Sequence, residues 1–296
     1  MQTIQLHPSL PVFSRLVYGV WRMNDGAGTT PAQALERIQA VLDTGVTTFD
    51  HADVYGGYSC EALFGEALKL APGLKNRIQI ITKCDIMLTL PQFAARRVKH
   101  YDTSPVHIRA SVDASLKLLG VDVVDVLLLH RPDPLMDASA TGACLDDLIH
   151  IGKIRAAGVS NFMAHDFSLL QSRMKNPLVT NQIEINLLAR QAFTDGTLSQ
   201  AQELKRPPMA WSPLAGGALL DHKPLQPLLR RIADANGVGP DAVAVAWLLA
   251  HPAHILPVMG THNLARIAKL PDAFKVKMDR ETWFELLVAA QGCEVA

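Results

Sequence analysis

The strongest constraint on the fold is a repeated alternation of short apolar segments with segments of helical periodicity. Eight segments are rich in β-branched and other apolar residues and are predicted to be strands: 16–20, 46–50, 78–83, 123–130, 154–160, 179–184, 209–212 and 255–259. Several of them are apolar almost throughout, as is typical of parallel strands that are covered on both faces.

The intervening segments are predicted to be helices. Segment 31–44 has apolar residues at helical spacing, with Pro31 at its start and Gly45 at its end. A second helix opens at Ser104 and closes at Gly120. Further helices are predicted at 60–70, 141–151, 164–174 and 197–205. Strand followed by helix, repeated eight times without a linker, predicts an α/β fold, a closed (β/α)8 TIM barrel.

A doubly wound open sheet is the alternative fold. The barrel is favoured because there are eight units, and because none has a Gly-x-Gly-x-x-Gly turn after its strand. An N-terminal β-hairpin (2–6 and 11–13) is expected to plug the barrel, and 280–290 is predicted to be a C-terminal helix. The whole chain, 1–296, is assigned to a single domain. The long connection 84–103 is either a wall of the substrate pocket or a solvated insertion.

Composition excludes several classes of function. The 28 basic and 28 acidic side chains balance, which disfavours binding to nucleic acid. No apolar run is long enough to span a membrane, and the N-terminus lacks the layout of a signal peptide.

The cysteines are scattered, which fits a reducing cytoplasm: Cys60, Cys84, Cys144 and Cys293. His251 and His254 have no third ligand nearby, so no metal site is predicted. Oligomeric state cannot be read from these features.

Catalytic groups in such barrels cluster at the carboxyl ends of the strands. Polar or aromatic residues follow the apolar strands here: Asp50, Lys83, His130, Ser160, Asn161, Gln182, Trp211 and Ser212. Any one of them is more often structural, but their occurrence together at one end of a barrel indicates an active site. Tyr55 follows five residues after Asp50, on a loop short enough to hold its phenol over the same end.

These side chains together could donate a proton to a substrate. The ammonium group of Lys83 is expected to lower the pKa of the Tyr55 phenol from its usual value near 10. Asp50 is expected to pair with Lys83, and His130 to contact a carbonyl oxygen or relay the proton. Such a set can protonate the alkoxide that forms when hydride attacks a carbonyl, with the hydride coming from a cofactor.

The chain resembles the aldo-keto reductases over essentially its whole length. The resemblance is carried by six motifs in order: FDHADVYG at 49–56, ITKC at 81–84, LLLHRPD at 127–133, GVSNF at 158–162, NQIE at 181–184 and WSPL at 211–214. Within the family it looks most like the bacterial YdhF-type oxidoreductases, through DHADVYGGY at 50–58 and HRPDPLMD at 130–137. The resemblance implies a cytoplasmic oxidoreductase that reduces small aldehydes or ketones.

The same resemblance implies roles for individual residues. Asp50, Tyr55, Lys83 and His130 would form the catalytic tetrad, with Tyr55 as general acid. Three residues would bind the nicotinamide carboxamide and one would stack on its ring: Ser160, Asn161, Gln182 and Trp211. Three more would lie near the pyrophosphate: Ser212, Leu214 and Gly216.

The adenosine end of the cofactor falls on residues 259–266. Arg266 would contact the 2′-phosphate, which a guanidinium group can bind through two bonds, and Thr261 would add a hydroxyl. Gly260 stands where a lysine is frequent, and Lys269-Leu270 stands where an acidic-amide pair is frequent. The absent lysine weakens the case for NADP, but Arg266 still favours NADP, as NADPH, as the expected cofactor, with NAD the less favoured alternative.

Two other functions stay open at the level of sequence. The barrel could be a non-enzymatic subunit that binds a nicotinamide cofactor and regulates a partner, although the intact tetrad favours an enzyme. It could also be an aldolase or isomerase in which Lys83 forms a Schiff base, but pairing with Asp50 would make that lysine a poor nucleophile.

Overall fold

The computed structural model describes residues 1–24 and 28–296 and shows a closed parallel barrel. Within these residues the strands are β1 Thr3–Ile4, β2 Phe13–Ser14, β3 Val17–Gly19, β4 Thr48–Asp50, β5 Gln79–Cys84, β6 Ile86–Met87, β7 His100–Tyr101, β8 Val124–Leu129, β9 Ile154–Ser160, β10 Leu178–Glu184, β11 Met209–Trp211 and β12 Leu256–Met259. The eight barrel strands run in the order β3-β4-β5-β8-β9-β10-β11-β12, and β12 pairs with β3 to close the ring. The predicted barrel is confirmed, and the open sheet is excluded.

Helices separate the barrel strands. In chain order they are α1 Pro31–Asp43, α2 Cys60–Leu70, α3 Pro105–Leu119, α4 Ala138–His150, α5 Ala164–Gln171, α6 Thr197–Glu203, α7 Gln226–Asn236, α8 Pro240–Leu249, α9 Leu264–Ile267 and α10 Arg280–Gln291. Helix α4 begins three residues before its predicted start because the Asp137 carboxylate accepts hydrogen bonds from the first turn. Helix α3 begins and ends as predicted, capped by Ser104 and by Gly120 at a φ of 66°.

The N-terminal hairpin closes the amino-terminal end of the barrel. Strands β1 and β2 pair antiparallel, and Phe13 is completely buried. Phe13 and Leu6 belong to one apolar cluster with the barrel residues Ile81 and Leu128. The predicted plug is therefore confirmed, and the carboxyl ends of the strands are the end that is left for a ligand.

The connection between β5 and α3 has a structure of its own. Strands β6 and β7 form an antiparallel hairpin within it. Ile86 packs in one cluster with Ala52, Val54 and Tyr55, which places the base of this insertion beside the loop after β4. The hairpin therefore packs against the loop that carries Tyr55 and is not a purely solvated segment.

In the part of the chain that the structure describes, no helix is both long enough and apolar enough to cross a membrane.

Candidate active site

Lys83 is the centre of the group of side chains at the carboxyl end of the barrel. It is completely buried, and its Nζ donates hydrogen bonds to both carboxylate oxygens of Asp50, each at 2.8 Å. The same Nζ lies 2.9 Å from the phenol oxygen of Tyr55 and donates to the main-chain oxygen of His51 at 2.7 Å. A charge buried at this depth is tolerated because all of its donors are directed at oxygens and one partner is an anion.

Main-chain pairing explains how Tyr55 reaches Lys83. The pairing of β4 with β5 continues past the end of β4. The His51 N–H donates to the main-chain carbonyl of Ile81 at 2.8 Å, and the Asp53 N–H donates to the main-chain carbonyl of Lys83 at 3.0 Å. The chain then turns through a hydrogen bond from the Tyr55 N–H to Ala52. The loop is therefore held on the strand that carries Lys83, and the phenol is directed over the ammonium group.

The expected direction of the Tyr55 pKa shift is wrong. Burial raises the pKa of the phenol above its usual value of 10, and the positive charge of Lys83 lowers it by less. Burial also opposes the charged form of Lys83, but Asp50 and Tyr55 together raise the pKa of that ammonium. At neutral pH the pair is thus a neutral phenol beside a charged ammonium, since desolvation of the phenolate is the larger effect.

His130 completes the group from the end of β8. Its ring meets the Tyr55 ring edge to face, with centroids 5.9 Å apart. Burial, followed by the charges of Lys83 and Arg131, holds the pKa of His130 well below its ordinary value. The imidazole is therefore neutral at physiological pH and can act as a hydrogen-bonding group rather than as a cation.

The residues expected at the nicotinamide form one connected network on β9, β10 and β11. The Trp211 indole donates to the side-chain oxygen of Asn161 at 2.9 Å, and the Asn161 amide donates to Ser160 at 2.9 Å. Gln182 donates to Asp50 at 2.8 Å, a contact between residues 132 positions apart. The network therefore joins the tetrad directly and holds the half-buried indole in a fixed orientation.

The segment after β11 has the backbone of a polar cradle. Ser212, Ala215, Gly216 and Gly217 all have positive φ, between 49° and 107°. A Cβ atom added at Gly216 would meet no atom within 4 Å among the described residues, so this glycine faces open space. Successive main-chain groups in such a conformation form concave sites for anions. Leu214 lies within the same turn and packs against two of the apolar clusters.

The adenosine-end residues lie after β12. Gly260 follows the last residue of β12, and the Thr261 carbonyl accepts a hydrogen bond from the Tyr18 phenol at 2.7 Å. Asn263 caps α9 by accepting from the Arg266 N–H, and Arg266 is exposed on that short helix. The structure thus leaves the Arg266 guanidinium at the surface beside the carboxyl end of β12.

Sequence reasoning missed several buried polar groups around this site. Asn186 is nearly inaccessible and donates to the Ser212 carbonyl at 3.0 Å, which holds the start of the cradle. Glu61 is buried, and its carboxylate accepts a hydrogen bond from the hydroxyl of Thr82 at 2.6 Å. Thr82 lies on β5, the strand that also carries Lys83. Asp85 is completely buried directly after β5. No local pattern marks these residues, since their partners lie far away in the sequence.

Comparison with known proteins shows the same family along the whole chain. The pattern of the aldo/keto reductase family matches residues 15–287. The chain is 54% identical over 298 residues to a 6-dehydroglucose reductase of Agrobacterium fabrum, with all of both chains covered. It is 44% identical over 299 residues to the oxidoreductase YdhF of Escherichia coli, covering 100% of this chain and 99% of that one.

A solved structure agrees in fold. The aldo/keto reductase of Klebsiella pneumoniae, crystallised with NADP and acetate, is 24% identical and superposes with a TM-score of 0.78, covering 93% of this chain and 90% of that one.

Proposed function

The chain belongs to the aldo/keto reductase family, and we propose that it is an NADPH-dependent oxidoreductase that reduces the aldehyde group of a sugar-like substrate to an alcohol. One observation carries the reaction type: the Tyr55 phenol oxygen lies 2.9 Å from a buried lysine ammonium that is itself held by Asp50. This arrangement favours a proton donor that is neutral before the reaction and stabilised as an anion during it.

Each member of the tetrad has a distinct task. Tyr55 gives its proton to the carbonyl oxygen as the carbon gains hydride, and the adjacent Lys83 ammonium stabilises the phenolate that is left. Asp50 holds the ammonium in place and keeps its charge compensated. The neutral His130 ring offers a hydrogen bond that orients the carbonyl without adding a second positive charge beside Lys83.

The residues present fit a nicotinamide cofactor. The half-buried Trp211 indole, with its edge fixed by Asn161, offers a flat apolar surface beside the side-chain amide of Asn161. Such a surface suits an aromatic ring that carries a carboxamide. The positive-φ turn at Gly216 and Gly217 suits a pyrophosphate, and the exposed Arg266 suits a 2′-phosphate. When bound, NADPH supplies the hydride that side chains cannot.

The substrate class rests on sequence similarity. The relative from Agrobacterium fabrum is named a 6-dehydroglucose reductase and is 54% identical with no part of either chain left over. A second 6-dehydroglucose reductase, from Novosphingobium aromaticivorans, is 40% identical over 97% of this chain. A hexose that carries an aldehyde in place of its primary alcohol is therefore the proposed substrate.

The test is oxidation of NADPH by the purified protein with 6-dehydroglucose and, in parallel, with a small apolar aldehyde such as butanal. We expect turnover with the sugar aldehyde at a higher kcat/KM. Tyr55→Phe should slow turnover by about 10²–10⁴-fold because the general acid is lost, while NADPH still quenches the protein fluorescence. Tyr101→Phe, which removes the phenol of a neighbouring tyrosine on the β6–β7 hairpin, is the matched control and should lose far less activity than Tyr55→Phe.

The outcomes separate the functions. If Tyr55→Phe turns over as fast as the parent, the proposed chemistry is wrong. If the parent binds NADPH but reduces neither aldehyde, the protein is a cofactor-binding subunit rather than a reductase. A preference for butanal would refute the sugar-like substrate and leave the reaction type intact.

A further inference from the structure

Asp85 is an unusual residue at its position in the fold. It stands between the last residue of β5 and the first residue of the inserted hairpin, two residues after Lys83. Its φ is +101°, a left-handed conformation that favours glycine and that side chains with a Cβ rarely adopt. Its side chain is also completely buried. A strained backbone that carries a buried acidic group persists only where the surrounding structure over-determines it.

The carboxylate of Asp85 is used to hold the main chain beside His130. Its Oδ2 accepts a hydrogen bond from the Arg131 N–H at 3.1 Å, although the two residues are 46 positions apart. The His130 N–H donates to the carbonyl of Cys84 at 2.9 Å. The peptide groups before and after the His130 Cα are therefore both bound by two consecutive residues at the end of β5.

This main-chain anchoring matters because the His130 ring is weakly held through its own atoms. Its Nδ1 is buried and finds no hydrogen-bond partner among the residues that the structure describes. Its closest ring neighbour is Tyr55, which it meets through an edge contact rather than a hydrogen bond. The direction of the imidazole thus depends on the backbone from which it projects.

From this geometry we infer that Asp85 is a positioning residue for His130, acting through the N–H of Arg131. The inference rests on the proposed function, in which the His130 ring orients the carbonyl. Burial raises the pKa of Asp85 well above its ordinary value, and the hydrogen bond from the Arg131 N–H acts in the opposite direction. A neutral acceptor is all that the contact with Arg131 requires.

Two substitutions of Asp85 distinguish a role in positioning His130 from a role in stabilising the fold. Asp85→Asn keeps an acceptor oxygen of the same length and tolerates positive φ, whereas Asp85→Gly removes the acceptor and suits φ +101° without strain. We expect Asp85→Asn to keep kcat within about threefold of the parent. Asp85→Gly should stay folded and bind NADPH normally, but should lower kcat by about ten- to a hundredfold, the scale of a small misplacement of a catalytic group.

A double-variant comparison tests whether the effect passes through His130. Asp85→Gly should cost nothing further in a His130→Gln background, because two residues that act as one unit are non-additive. An equal loss in both backgrounds would overturn the inference, as would parental kcat in Asp85→Gly.

A spectroscopic readout makes the test independent of turnover. In protein labelled with ¹³C-histidine, the ring signals of His130 can be assigned by their absence in His130→Gln. We expect them to shift or broaden in Asp85→Gly and to stay in place in Asp85→Asn. Unchanged His130 signals in Asp85→Gly would overturn the positioning role. Failure of the proposed function would instead appear as no turnover by the parent or as full activity of Tyr55→Phe, with the histidine signals still reporting on Asp85.

Discussion

Acidification is expected to destabilise this protein through His51. The imidazole is completely buried and packs edge-on against Phe64, with ring centroids 4.4 Å apart. Both ring nitrogens lack a hydrogen-bond partner within the described part of the chain. Burial, followed by the charge of Lys83, lowers the pKa of His51 to about 3. In an unfolded chain the same side chain titrates near 6.5.

The sign of the effect follows from proton binding. Between pH 6.5 and about 3 the unfolded chain holds a proton on His51 that the folded chain does not. The free energy of unfolding therefore falls as the pH falls through this window. Going from pH 7.5 to pH 4.5 crosses about two units of it, which corresponds to a loss of about 3 kcal/mol from this residue.

Substitution of His51 by leucine isolates this contribution. His51→Leu cannot titrate, has nearly the same volume and keeps an apolar contact with Phe64. Urea unfolding of parent and variant at pH 7.5, 6.0 and 4.5 gives the free energy of unfolding of each. We expect the variant to lose about 3 kcal/mol less than the parent between pH 7.5 and 4.5. His150→Gln, at an exposed histidine, is the matched control. Parallel pH profiles for parent and His51→Leu would refute the reasoning.

Three further predictions concern other buried groups. Burial raises the pKa of Asp53 to about 7, so this residue should contribute a loss of up to about 4 kcal/mol of stability as the pH rises from 4 to 7, opposite in sign to the contribution of His51. Urea unfolding should therefore show Asp53→Asn gaining more stability than the parent over this pH range. A Cβ atom at Gly65 would lie 1.9 Å from the carbonyl oxygen of Leu118, whereas at Gly73 it meets open space in the described structure. Thermal unfolding should therefore show Gly65→Ala destabilised by about 3 kcal/mol or more and Gly73→Ala nearly unchanged. Lys83→Met should abolish most turnover at every pH, because the phenolate of the reaction loses its counter-charge, and a variant with parental kcat in the NADPH assay would contradict the assigned role.

The order of strands and helices could be predicted from the sequence because the local periodicity of apolar residues indicates each element. Apolar runs of strand length alternate with amphipathic segments, and residues such as Ser104 and Gly120 mark helix ends through interactions within a few positions. The count of eight units then favours a closed barrel over an open sheet. The candidate site residues could be named for the same reason, since Asp50, Lys83 and His130 each stand within one residue of the end of a strand. The assignment of one domain stays a prediction.

Other properties of the site depend on which distant residues the closed barrel brings together. The bond from Gln182 to Asp50 spans 132 positions and joins non-adjacent strands, so no local pattern can encode it. The direction of the Tyr55 pKa shift could not be read from the sequence either. The nearby cation was visible there, but the desolvation of the partly buried phenol was not, and desolvation outweighs the charge. Local sequence sets which backbone conformations are favourable, whereas burial and electrostatics are sums over neighbours that exist only after the chain has closed on itself.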